Sequence, residues 1–157
     1  AYGVLDPAGS SEKVAKFTRP ENGPFGGYEY FKFQYWQEKI DFSTYHKYKI
    51  SVYVPSSNDF SESLKPEIDL IFHDNNENFW ERWTVISHTI DASNFDKWII
   101  IEFDGSKAKA VDTGVLLPEQ QKLYDNFTIR VGGYGHSEKG IFYIKDFVPF
   151  KDSVPFK

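Results

Sequence analysis

The chain has 157 residues, 40% of them hydrophobic and 26% charged, with a formal net charge of −5. That length carries one core of ordinary size, so residues 1–157 are expected to form a single domain. No apolar run approaches the length of a membrane span, and the acidic balance argues against binding nucleic-acid phosphates. Cysteine and methionine are both absent, which excludes disulfides, thiolate metal sites and thiol nucleophiles. Their absence suits an exported protein exposed to oxidants. The start at Ala1 reads as that of a processed or excised segment.

Aromatic residues make up 18% of the sequence, as 15 Phe, 10 Tyr and 4 Trp, and rings fit the half-buried surface of a strand. Ala1 to Ser11, with Gly3, Pro7 and Gly9, reads as irregular. Pro20-Glu21-Asn22-Gly23-Pro24, followed by Gly26-Gly27, reads as loop. From Tyr28 to Trp36 the residues alternate: Phe31, Phe33 and Tyr35 form a core row, and Tyr28, Tyr30, Lys32, Gln34 and Trp36 point away. Tyr48 to Val54 alternates next and is closed by Pro55-Ser56-Ser57-Asn58. Ile68 to His73 follows and turns at Asp74-Asn75-Asn76. Phe79 to Ile90 is long enough to include a bend. Trp98 to Phe103, Phe127 to Val131 and Ile141 to Val148 complete the strands. Gly132-Gly133-Tyr134-Gly135, between two strands, reads as a hairpin loop rather than a dinucleotide-binding motif. Helical period is confined to Pro118 to Leu123, with Pro118 at a first helical position. About seven or eight strands at this spacing predict an all-β fold, a two-sheet antiparallel β-sandwich. Their similar lengths favour a jelly roll over an open barrel, while periodicity does not choose between jelly-roll and immunoglobulin-like topology.

The four histidines, His46, His73, His88 and His136, show no metal-ligand spacing. There is no nucleophile elbow and no phosphate-cradling loop. Glu77 and Glu81 read as a solvated hairpin. The sequence therefore makes no positive case for an enzyme.

What it offers instead is rings facing away from the core. Tyr30, Gln34 and Trp36 share one row with Lys32. Trp80, Arg82 and Thr84 share another if Trp83 and Val85 are core. Pyranose rings have apolar C–H faces that stack on aromatics, and edge hydroxyls that pair with planar polar groups. Trp98 opens a strand that reads as buried, so it is expected in the core, and Asp69 and His73 read as solvated strand positions. Tyr134 and His136 lie in the glycine-rich loop, where an exposed ring suits binding. The candidate ligand-binding residues are Trp36, Trp80, Arg82, Tyr30, Gln34, Tyr134, His136 and Arg130.

Several stretches together resemble the galactose-binding-like jelly-roll domains that serve as carbohydrate-binding modules. They are Val14-Ala15-Lys16-Phe17, the glycine pair before Tyr28, and Ile40-Asp41-Phe42-Ser43-Thr44-Tyr45 leading into Tyr48-Lys49-Ile50-Ser51-Val52-Tyr53. Trp98 and the closing Phe142-Tyr143-Ile144-Lys145-Asp146-Phe147 complete the set. The resemblance covers most of the chain and implies a non-catalytic module, secreted or at the cell surface, with a polysaccharide ligand and a parent enzyme's catalytic domain as partners. It also implies a structural calcium near the N-terminal segment and the last strand. Asp146 matches the acidic position there, with Asp6 or Glu12 to complete the site; where many relatives carry two adjacent acids, this chain has Lys145 before Asp146. Neutral β-glucan is the first-choice ligand and an anionic polysaccharide the second, since Arg82, Arg130 and Lys32 would suit carboxylate or sulfate. Two other classes compete. One is a β-sandwich polysaccharide lyase or glycosidase using Arg82, His73, Arg130 and Tyr134. The other is a protein-adhesion module with the rings as its interface.

Overall fold

A computed structural model of the chain describes residues 3–19, 30–34, 40–41, 47–61, 63–73, 84–105, 109–110, 123–124, 126–133 and 138–150. In chain order the strands are β1 (Val4–Leu5), β2 (Lys13–Arg19), β3 (Tyr30–Gln34), β4 (Ile40–Asp41), β5 (Lys47–Tyr53) and β6 (Glu67–His73). They continue with β7 (Thr84–Thr89), β8 (Trp98–Asp104), β9 (Lys109–Ala110), β10 (Leu123–Tyr124), β11 (Asn126–Val131) and β12 (Gly140–Phe150). The first sheet runs β1-β2-β12-β5-β8 and the second β3-β11-β6-β7-β9, while β4 and β10 form a separate short pair. Every pairing is antiparallel.

The topology settles what periodicity left open. The chain changes sheet between β2 and β3, between β3 and β5, between β5 and β6, between β7 and β8, between β8 and β9, and again between β11 and β12. The resulting orders, β2-β12-β5-β8 facing β3-β11-β6-β7, are those of two Greek keys closed into a jelly roll. Gly132-Gly133 is therefore a crossover between sheets and not the hairpin expected from its neighbours. It needs glycine, because both residues have positive φ, 85° and 80°. A Cβ on Gly133 would also come within 3.1 Å of the Lys65 side chain.

Alternation puts the core between the sheets. Phe17, Ile50, Val52, Ile101, Phe103, Phe142 and Ile144 from the first sheet meet Ile68, Leu70, Phe72, Ile86, Phe127, Ile129 and Val131 from the second. Each such side chain contributes roughly 1.5–3 kcal/mol on burial. Phe31 and Phe33 of the predicted core row stand in register with the core residues Ile129 and Phe127, while Tyr35 lies outside the described residues. Arg19, fully buried, ties the layers together: its Nη1 donates to the carbonyls of Val131 at 2.7 Å and Gly133 at 3.1 Å.

The last strand carries one irregularity. Its register against β5 shifts between Lys145 and Val148, the mark of a β-bulge, and Asp146 within it has φ 53°. The extra residue turns Phe147 inward, where its ring stacks on Phe127 at 4.8 Å and on Tyr48 at 5.9 Å.

Three further expectations are corrected. The irregular start contains β1, and β2 pairs with β12 where no strand was expected. Leu123, placed at the end of a helical turn, lies in β10 against Asp41; residues 118–122 lie outside the described residues. Trp98 is not in the core. It stands in register with Tyr53, on the outer face of the first sheet, and is half-buried.

Candidate functional site

The outer face of the second sheet carries the polar residues that the core does not use. Its register gives three rows: Tyr30–Arg130–Asp69–Ser87, Lys32–Thr128–Ile71–Val85–Lys109, and Gln34–Asn126–His73. They alternate with the core positions of the same strands, as period 2 requires. Over the centre, Asp69 is 0% exposed, Ile71 2%, Thr128 6% and Arg130 8%. These four residues are withdrawn from water although they lie outside the sandwich.

Asp69 organises it. The Arg130 Nε donates to Asp69 Oδ2 at 2.7 Å, and the hydroxyl of Ser87, an exposed residue, donates to Oδ1 at 2.6 Å. Glu67 lies one step along β6 on the same face. Burial and the neighbouring Asp69 push its carboxyl above the ordinary range, while Lys65 and Arg130 pull it back. The result is a fixed array of a guanidinium, two carboxylates and a hydroxyl. Asp69 is thus not the solvated position the alternation implied, and Arg130 is not an open cation. Its charge is held by Asp69 in a nearly dry setting.

Of the predicted ligand contacts, Arg130, Tyr30 and Gln34 come together on this face, the last two placed by register alone. Trp36, Trp80, Arg82, Tyr134 and His136 lie outside the described residues, as does Trp83. Sequence reasoning missed Asp69, Ser87 and Glu67. The signal available was the polar residues Glu67, Asp69 and Ser87 alternating with core positions of β6 and β7, a pattern that looks the same for a wet face and a closed one. His73 pairs with Asn126, four residues from Arg130 along β11, roughly 13 Å at about 3.3 Å per residue. That spacing is too wide for one acid–base centre containing both.

The predicted metal residues lie on the other sheet's outer face. There Tyr143, Tyr53 and Trp98 form a cross-strand row, with ring centroids 5.9 and 5.8 Å apart. Lys16 sits 5.9 Å from the Tyr143 ring and Lys145 4.7 Å from the Trp98 ring. Asp6, on the N-terminal segment, accepts from the Trp98 indole Nε1 and the Ala8 amide, both at 2.8 Å on Oδ1, and from the Ser10 hydroxyl on Oδ2. Ser10 and then Trp98 hold its carboxyl below the usual range. Glu12 receives the Lys145 ammonium at 2.6 Å. Asp146 is exposed at the bulge. Among the described residues no three His, Cys, Asp or Glu side chains gather as a metal site.

No protein-family model and no curated protein matches the chain. Among solved structures it is similar to a family 11 carbohydrate-binding module of the cellulosomal cellulase Lic26A-Cel5E of Clostridium thermocellum. That likeness has 12% identity and a TM-score of 0.47, covering 96% of this chain and 95% of that one. It is also similar to CBM28, a carbohydrate-binding module specific for non-crystalline cellulose, at 10% identity and a TM-score of 0.47, covering 87% of this chain and 74% of that one.

Proposed function

We propose that the chain is a non-catalytic carbohydrate-binding module, secreted or at the cell surface, that takes a polysaccharide across the outer face of its second sheet. One observation carries the reading: the array of Asp69, Arg130, Ser87 and Glu67. A desolvated ion pair outside the core is poor value as a stabiliser, because the cost of drying two charges offsets most of their attraction. As a set of donors and acceptors held on the outer face, it has a use in pairing with sugar hydroxyls. Ser87 is an exposed residue, and the carboxylate beneath it is held by the Arg130 guanidinium. Tyr30 stands beside Arg130 in the same row, and Trp36 and Trp80 are the rings the sequence offers for stacking.

The same array favours a neutral glycan over an anionic one. Arg130 is already neutralised by Asp69, and Glu67 beside them would repel a uronate or a sulfate. β-Glucan is thus the first ligand to try. A polysaccharide lyase would need a cation free to neutralise the substrate's carboxylate, and Arg130 is committed elsewhere. In the proposed role the module holds a catalytic domain of a parent enzyme, or a surface receptor, against its polymer.

Isothermal titration against soluble β-glucans, galactans and polyuronates tests this. A neutral β-glucan should release heat, and Trp36→Ala or Trp80→Ala should weaken its binding by roughly 1–3 kcal/mol. Silence from every polymer with folded protein would end the proposal. Preferential binding of polyuronate would overturn the neutral specificity.

A further inference from the structure

The N-terminal corner holds acids that an implied calcium would use, and their hydrogen bonds do not fit that ion. We infer that Lys145 is itself the resident cation of this corner, clamping the N-terminal segment to the outer face of the first sheet, so that the corner takes no divalent metal. The inference stands apart from the proposed ligand and its site.

Calcium needs six to eight oxygens with lone pairs turned towards it, at about 2.3–2.6 Å. Asp6 has spent its lone pairs otherwise. An indole N–H and an amide N–H share Oδ1, and a hydroxyl takes Oδ2, which leaves about one of roughly four acceptor sites. Each of those donors points a hydrogen, not an oxygen, at the carboxylate. Glu12 is engaged by the Lys145 ammonium at 2.6 Å.

The ammonium does more than neutralise Glu12. It lies over the Trp98 ring, 4.7 Å from the centroid, where the π face attracts a cation. The same indole donates its edge N–H to Asp6. One ring therefore offers its positive edge to an anion of the N-terminal segment and its negative face to a cation of β12. Glu12 and Asp6, both from that segment, are fastened to the sheet side by side, Glu12 to β12 by the ammonium and Asp6 to β8 by the indole N–H. A second, divalent charge brought among Asp6, Glu12 and Asp146 would meet that ammonium, and the electrostatics run the other way. The Glu12 hydrogen bond raises the Lys145 ammonium's pKa, with Asp146 and Asp6 adding to the effect, so the group stays charged.

Asp146 has a reason of its own. With φ 53° it occupies the left-handed position of the bulge, which among residues with a side chain Asp and Asn tolerate best. The bulge explains an acid there without a metal.

The test uses the whole chain, freed of metal with a chelator. Titrated with calcium chloride it should give no heat, and its Tm should be the same in chelator and in millimolar calcium. Lys145→Met should lower Tm by several degrees in both buffers and speed amide exchange over residues 3–12, while Lys145→Arg keeps most of the clamp. Asp146→Gly should leave Tm unchanged or raise it, because glycine relaxes the positive φ. Stoichiometric calcium heat with a Tm rise that Asp6→Asn or Asp146→Asn abolishes would overturn the inference. So would a Lys145→Met protein with unaltered Tm and exchange. Should Lys145→Met not fold, the wild-type titration and Asp146→Gly decide alone.

Discussion

Arg130→Met should strongly destabilise the fold, although it removes a side chain from outside the core. The change leaves the Asp69 carboxylate, which has no exposure, without the guanidinium 2.7 Å away, and leaves Glu67 beside it as a like charge. Breaking a buried pair from one side costs about 3–5 kcal/mol. For a chain of this size each kcal/mol moves Tm by about 2–4 °C, so the fall should be roughly 6–20 °C. Asp69→Leu alone should cost a similar amount, by stranding the guanidinium. The double variant Asp69→Leu with Arg130→Met removes both charges and should recover most of the loss. Urea unfolding of the four proteins gives the coupling energy as a double-mutant cycle. The double variant also separates stability from function, since it should fold and yet bind no glycan. Single variants that each lose less than about 1 kcal/mol, with an additive double, would refute the reasoning, because a solvent-screened pair behaves that way.

Two predictions concern pH. His88 faces the interior near Phe103, and burial lowers its pKa from an ordinary 6.5. The unfolded chain then takes up the proton first, so stability should fall as pH drops below about 6.5 and level off once the folded form is protonated too; Tm of His88→Leu should lose that dependence. Glu67 runs the opposite way. Its pKa is raised above the ordinary 4.5, so the folded form protonates first and acidification towards that value relieves a penalty. Glu67→Gln should therefore raise Tm at neutral pH, and a lower Tm would contradict the burial of that carboxyl.

The strands were legible because alternation is a local property. Tyr48 to Val54, Ile68 to His73, Trp98 to Phe103 and Phe127 to Val131 each match a strand to within a residue or so at either end. Which face is wet is not local. Asp69 and Arg130 alternate with core residues as solvated positions do, and only the register that joins β6, β11 and β7 reveals the pair. Trp98 fails for a related reason. It leads into Ile99, Ile100 and Ile101, an unbroken apolar run that carries no parity, so the sequence could not say that Trp98 and Ile100 face outward. Ile100 is 70% exposed and Ile101 is 1% exposed. The glycine loop after Val131 has the composition of a hairpin, and only sheet membership distinguishes it from a crossover. Of the binding residues expected from the sequence, Tyr30, Gln34 and Arg130 fall on one face, where Arg130 has a partner that no spacing rule would have found.

Backbone amide shifts recorded while a soluble β-glucan is added test the central claim most directly. Glycan lying across the second sheet should move the amides around Tyr30, Arg130, Asp69 and Ser87 and leave those of Tyr53 and Tyr143 on the first sheet in place. Shifts gathered on the first sheet, or none with any neutral glucan, would contradict it.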